Sequence, residues 1–187
     1  MDCKNHTNKI FYINNEIAIA NAVEEDNFLR IEGYACHYNV TNLNRERVNA
    51  KSFDAFFELY NSKKLTPMLN WAHNQDNIIG GIDTLESKKD GLYMTARLNK
   101  DVKIVADMIL PNVLAGDIKG LSTEGWANNI DYDEKDDTYY VHDFMLLGIA
   151  VVKTPADWNA EFSFANYYKN AHKQEPQKPR KSLVYMW

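Results

Sequence analysis

The sequence predicts an α+β domain, a mainly antiparallel β-sheet or small barrel carrying two or three helices. Three observations carry that expectation. Segments in which β-branched or aromatic residues alternate with polar ones recur along most of the chain, and only two stretches show helical spacing. The resulting order, β-β-α-β-β-β-α-β-β, lacks the strand-helix alternation of a parallel-sheet protein. With 187 residues, 45% hydrophobic and 12% aromatic, the chain can bury one sizeable core but not two ordinary ones. The expected division is a tail at 1–8, a folded domain at 9–165 and a flexible tail at 166–187.

Taken in order, NEIAIANAV within 9–23 and FLRIEGYACHY at 28–38 alternate as half-buried strands do. Phe53, Phe56, Phe57 and Tyr60 then fall on one helical face, after Ser52 in an N-cap position and Asp54 in the first turn. The segment 65–71 is an apolar strand that ends just before His73, with Pro67 tolerated only where no ladder donor is needed. Residues 78–85 and 92–98 form a hairpin signal around the turn SKKDG. Val102, Val105, Ile109 and Val113 form a helical stripe that Pro111 should kink or split and Gly116 should help end. Two last strands are expected at 118–128 and 138–152, separated by the acidic turn NNIDYDEKDD.

Charge narrows the function classes. The net charge is −5, but residues 166–187 hold Lys169, Lys173, Lys178, Arg180 and Lys181 against Glu175, a local +4 that leaves −9 elsewhere. An acidic body argues against nucleic-acid binding, which needs clustered cations. The basic tail is too polar to order itself and reads as a solvated linker or, second, a contact for an acidic partner or nucleic acid. No run of roughly 18 apolar residues predicts a membrane span, and the N-terminus lacks a secretory signal, so a soluble intracellular protein is expected. Cys3 and Cys36 have neither metal-ligand nor disulfide spacing, and no HExxH-like set exists, so no metal site is expected.

Serine nucleophiles need a base within hydrogen-bond reach and a third group to fix the base's tautomer. His6 and His172 fall in the tails and His37 and His142 within strands, which leaves His73, at a strand end before polar NQDN, as the best-mounted base. Ser122 lies in KGLSTEGW, bracketed by Gly120 and Gly125, where close substrate approach is permitted. Residue types and spacing alone do not establish a protease.

The ordered run IEGYACHYNV, SFDAFF, LNWAHNQDNIIGGIDTL, KKDGLYMTARL, AGDIKGLSTEGW and GIAVVKTPADW resembles the tailed-phage prohead (capsid maturation) serine protease family. Six pieces in one order, covering residues 30–160, carry the resemblance. It implies an assemblin-like fold shared with herpesvirus maturation proteases, His73 as general base and Ser122 as nucleophile. It also implies an endopeptidase that needs no cofactor, works inside the assembling procapsid in the host cytoplasm, and cleaves scaffold and major capsid protein extensions. Self-trimming at the basic tail and a homodimer are further expectations from the relatives.

One position departs from the family pattern. Family members carry a glutamate, or a second histidine in the herpesvirus relatives, seven residues before the Pro of the Pro-Ala pair; counting back from Pro155 gives Gly148. Candidates to replace that group are Glu124, on the same strand face as Ser122, or a water beside Gly148, then Asp143 and last His142, with Asp76 and Asp83 in reserve. If none serves, the chain is a weak or inert assembly component of the same fold. A third reading, an unrelated β-rich binding module, would leave the order of the six motifs as coincidence.

Overall fold

A computed structural model describes residues 10–16, 24–25, 27–118 and 120–153 of the chain. The tails expected at 1–8 and 166–187, and the Pro155–Ala156 pair, lie outside the described residues.

The strands are β1 (Ile10–Glu16), β2 (Glu24–Glu25), β3 (Phe28–His37), β4 (Glu46–Arg47), β5 (Met68–Trp71), β6 (Asn74–Lys88), β7 (Gly91–Asn99), β8 (Gly120–Asp133) and β9 (Thr138–Val152). The helices are α1 (Asp54–Asn61) and α2 (Leu110–Ala115). The predicted α+β class and the order of its main elements hold, and β2 and β4 are two-residue additions. The sheet runs β1-β8-β9-β5-β6-β7-β3-β2. It curls, so that β1 lies against β3. Most neighbours are antiparallel, as expected, but β9 takes β4 and β5 in parallel on one flank and β8 antiparallel on the other. That mixed arrangement around β9 builds the site.

Sequence explains the local choices. The helical stripe of phenylalanines begins one turn earlier than predicted, in a 3-10 turn (Ala50–Phe53) capped by Asn49; Ser52 is the reciprocal member of the capping box. Ser52 Oγ also donates to the Val141 carbonyl oxygen at 2.6 Å, tying the helix entry to β9. Phe53 and Phe56 are fully buried, and the Phe53 ring meets Phe144 edge-on at 5.6 Å. In the second helical stretch Pro111 divides the stripe as anticipated. A π-helical turn (Val105–Ile109) precedes it, the proline sits in the first turn of α2, and Gly116 ends α2 at φ 81°, the left-handed cap that glycine adopts without strain. The acidic segment between the last strands is not all turn. Its first half extends β8 to Asp133, because Tyr132 packs on Tyr139 across the hairpin.

Leu29, Ile31, Leu92, Met94, Leu98, Leu69 and Ile149 fill the core inside the curl. Cys36 belongs to it. Complete burial pushes its thiol up to about 12, so the nucleophilic thiolate is absent at neutral pH. In a Cys3→Ser chain we expect no reaction with a disulfide reagent such as DTNB until denaturant is added, and one thiol thereafter; rapid titration of the native chain would show that β3 opens readily.

Candidate active site

The site is assembled on β9 and its two flanking strands. On the β8 side, Ser122 pairs with Ala150 and Glu124 with Gly148; on the β5 side, Asn70 pairs with Ala150 and Met68 with Gly148. Paired residues on adjacent strands face the same side of a sheet, as do residues two apart along one strand. Ser122, Ala150 and Asn70 therefore form one row, and Glu124, Gly148 and Met68 the next. The middle strand contributes only a methyl group and a hydrogen. That leaves a trough over β9 across which the longer side chains meet.

His73 arrives from the end of β5. Sequence reading places it at a strand end before a polar loop, but NQDN is the start of β6, and the connection is a two-residue hairpin closed by the pair Trp71–Asn74. Its central residues have φ 53° (Ala72) and 61° (His73). Two successive left-handed residues suit the right-handed twist of a tight hairpin, which prefers Asn-Gly there. Side chains with a Cβ in this region cost about 1–2 kcal/mol each. Strain of this kind persists where the surroundings fix it. Here the Ala72 N–H donates to the Val151 carbonyl oxygen at 3.0 Å, pinning the turn to β9.

Across the trough, His73 Nδ1 lies 3.1 Å from Glu124 Oε2, and Asn70 Nδ2 donates to Glu124 Oε1 at 2.5 Å. The carboxylate is 2% exposed and the imidazole 19%. A buried carboxylate must be supplied with donors, and these two neighbours supply one to each oxygen. Because an ionised carboxylate only accepts, this contact assigns the proton to Nδ1 and makes Nε2 the acceptor nitrogen of a neutral ring.

Gly148 is the space that carboxylate fills. A Cβ there would stand 2.6 Å from Glu124 Oε1 and 3.1 Å from the Met68 carbonyl oxygen, well inside contact distance. The glycine that looks like a missing third group is thus the floor under a carboxylate delivered from the strand opposite.

The other candidates go elsewhere. Asp143 and His142, expected as possible third members, lie five and six residues before Gly148, in the first half of β9. Asp143 is exposed opposite Asn129, and His142 Nε2 is 2.9 Å from Asp131. Strand rise of about 3.3 Å per residue keeps them from the trough. Asp83 accepts from Arg97 at 2.7 and 3.0 Å, and Asp76 lies exposed where its N–H bonds Asn74. Ser122 itself is fully buried, at 0% exposure. Sequence reading missed Asn70, whose signal was a lone amide in the apolar segment PMLNW. Among the described residues, no group of three or more His, Cys, Asp or Glu is arranged to hold a metal.

Comparison with known proteins agrees with this architecture. The bacteriophage T4 capsid assembly protease, gp21, has a similar fold, with a TM-score of 0.64 at 19% sequence identity, covering 80% of this chain and 100% of that one. No curated protein sequence matches significantly. A match to the family described as caudovirus prohead serine protease runs over residues 16–175, nearly the whole chain, and on that match the chain belongs to the caudovirus prohead serine protease family.

Proposed function

We propose that this protein is the maturation endopeptidase of a phage procapsid, with Ser122 as nucleophile, His73 as general base and Glu124 as the group that orients the base. One observation carries the reading: a buried carboxylate bonded to Nδ1 of a histidine, two residues along the same strand face from a serine. Ser122 Oγ attacks the scissile carbonyl carbon and its proton passes to His73 Nε2. Glu124 steadies the imidazolium, and backbone amides hold the oxyanion. Collapse of the tetrahedral adduct breaks the C–N bond, the amine leaves with the proton from His73, and water then repeats the sequence on the acyl-serine. The substrates are scaffold and coat-protein extensions, in keeping with the family and with the T4 protein's designation as a capsid assembly protease.

Burial of Ser122 adds a condition. Whatever covers the hydroxyl must move before a peptide binds, so turnover scales with the fraction of molecules in the open state. The reading of the chain as an inert assembly component starts from an empty third position at Gly148, and the Glu124 carboxylate over that glycine supports the active reading instead.

A fluorophosphonate tests the assignment, because it phosphonylates only an activated serine. Tryptic mass spectrometry should find the adduct on the peptide holding Ser122, and His73→Ala should slow its formation by at least about a hundredfold. An adduct on another serine, or none after prolonged incubation, contradicts it.

A further inference from the structure

Asn70 is wholly buried on β5, yet only part of its amide is used. Nδ2 donates to Glu124 Oε1, while Oδ1 is buried with no hydrogen-bond partner among the described residues. The neighbour dictates which end is which: turning the amide over would set Oδ1 against a carboxylate oxygen, two acceptors with no proton between them. Native interiors rarely keep an orphaned acceptor, and an apolar side chain of similar size, such as that of Leu69 beside it, would avoid one altogether. Stability gives less than a full reason for an asparagine here: it supplies a donor to one buried carboxylate oxygen but strands its own Oδ1.

Geometry gives one. The Glu124 side chain crosses β9 above Gly148, where the glycine offers space but no polar side-chain group. Without a second anchor its carboxylate is free to rotate about its last torsion and to draw away from the histidine. The short bond from Asn70 holds Oε1 on the β5 side, and Oε2 is thereby presented to His73 Nδ1. One hairpin thus carries the anchor on β5 and, three residues later in its turn, the imidazole, so both donors to the carboxylate come from the same unit.

We infer that Asn70 is a positioning residue of this active site, clamping Glu124 so that His73 keeps its proton on Nδ1 and its lone pair on Nε2. It acts through Glu124 and touches no substrate. The inference rests on the roles proposed above for Ser122, His73 and Glu124, and it predicts a defect in chemistry out of proportion to any change in folding.

The test uses the full chain and its Asn70→Leu and Asn70→Gln variants. Three readouts are compared: the rate of fluorophosphonate labelling at Ser122, the far-downfield proton resonance of the His73 Nδ1–H, and the melting temperature. Orienting partners one shell removed typically contribute about 10- to 100-fold. Asn70→Leu should therefore label about 10- to 100-fold more slowly and lose or shift the resonance while still melting cooperatively. Asn70→Gln, which keeps an N–H donor, should retain more of both. Wild-type rate and resonance in folded Asn70→Leu overturn the inference and leave the proposed function standing. Should leucine unfold the chain, Asn70→Ala carries the same comparison. A wild-type chain that never labels at Ser122 strikes at the proposed function instead, and the resonance then decides the role of Asn70 alone: present in wild type and lost in the leucine variant supports the clamp, unchanged in both refutes it.

Discussion

Ser122→Ala is expected to abolish processing of the cognate capsid protein on co-expression, a loss of roughly 10⁶-fold if the residue behaves as nucleophiles do in other serine proteases. The change removes one oxygen from a fully buried position and leaves the strand intact, since alanine fits wherever serine does. The only hydrogen-bonding capacity lost is that of the hydroxyl. Folding, followed by melting temperature, should shift little, and the variant should keep the β-rich circular dichroism of the wild type. Unprocessed capsid precursor on a gel, beside full processing by the wild type, is the expected result. Equal processing by both removes Ser122 from the mechanism and leaves Glu124 and His73 as a structural pair.

The second large effect belongs to the carboxylate and can be produced from either side of the hairpin. Glu124→Gln keeps size and shape but replaces one acceptor oxygen with a donor, which favours the wrong imidazole tautomer. In the serine-protease triad the matching Asp→Asn change lowers kcat by about 10⁴, and a similar loss is expected here. Gly148→Ala should reach the same end without touching a polar group. Its methyl would stand 2.6 Å from Oε1, so the carboxylate must swing off His73, and misplacement of about 1 Å suffices for roughly a hundredfold loss. Both variants should melt near the wild type. Since the Cβ of residue 148 aims into the very space Glu124 occupies, the pair Glu124→Gly with Gly148→Glu should recover cleavage that Glu124→Gly alone lacks. An active Gly148→Ala, or a dead double variant that folds, would count against Glu124 as the orienting group. The measurements are steady-state rates on a peptide copied from the processed junction.

Much of this was legible before any coordinates. Alternation gave β3 and β7, and a long apolar run gave β9, nearly to the residue. The phenylalanine stripe gave α1. Ser122, His73 and Glu124 could all be named, the last only as one of several candidates. What sequence withheld was pairing. That Gly148 lies opposite Glu124 is a fact of register between two strands, and no local pattern encodes it. The same holds for Asn70, which gains its meaning only once β5 runs parallel to β9. His73 was misplaced for a different reason. A hairpin turn of Ala-His carries none of the Gly or Asn that usually marks left-handed backbone, so the turn was taken for a strand end.

The position of β9 in the chain also has a temporal consequence. It is the floor of the trough, yet it comes after every other described strand and ends at Val152. Hydroxyl, imidazole and carboxylate are all made earlier, on segments about fifty residues apart that do not pair with each other directly. A nascent chain on the ribosome thus owns the reacting groups well before it owns the surface that brings them together, and long-range closure of this sort is slow. Hydrolytic power should switch on only after synthesis has passed β9.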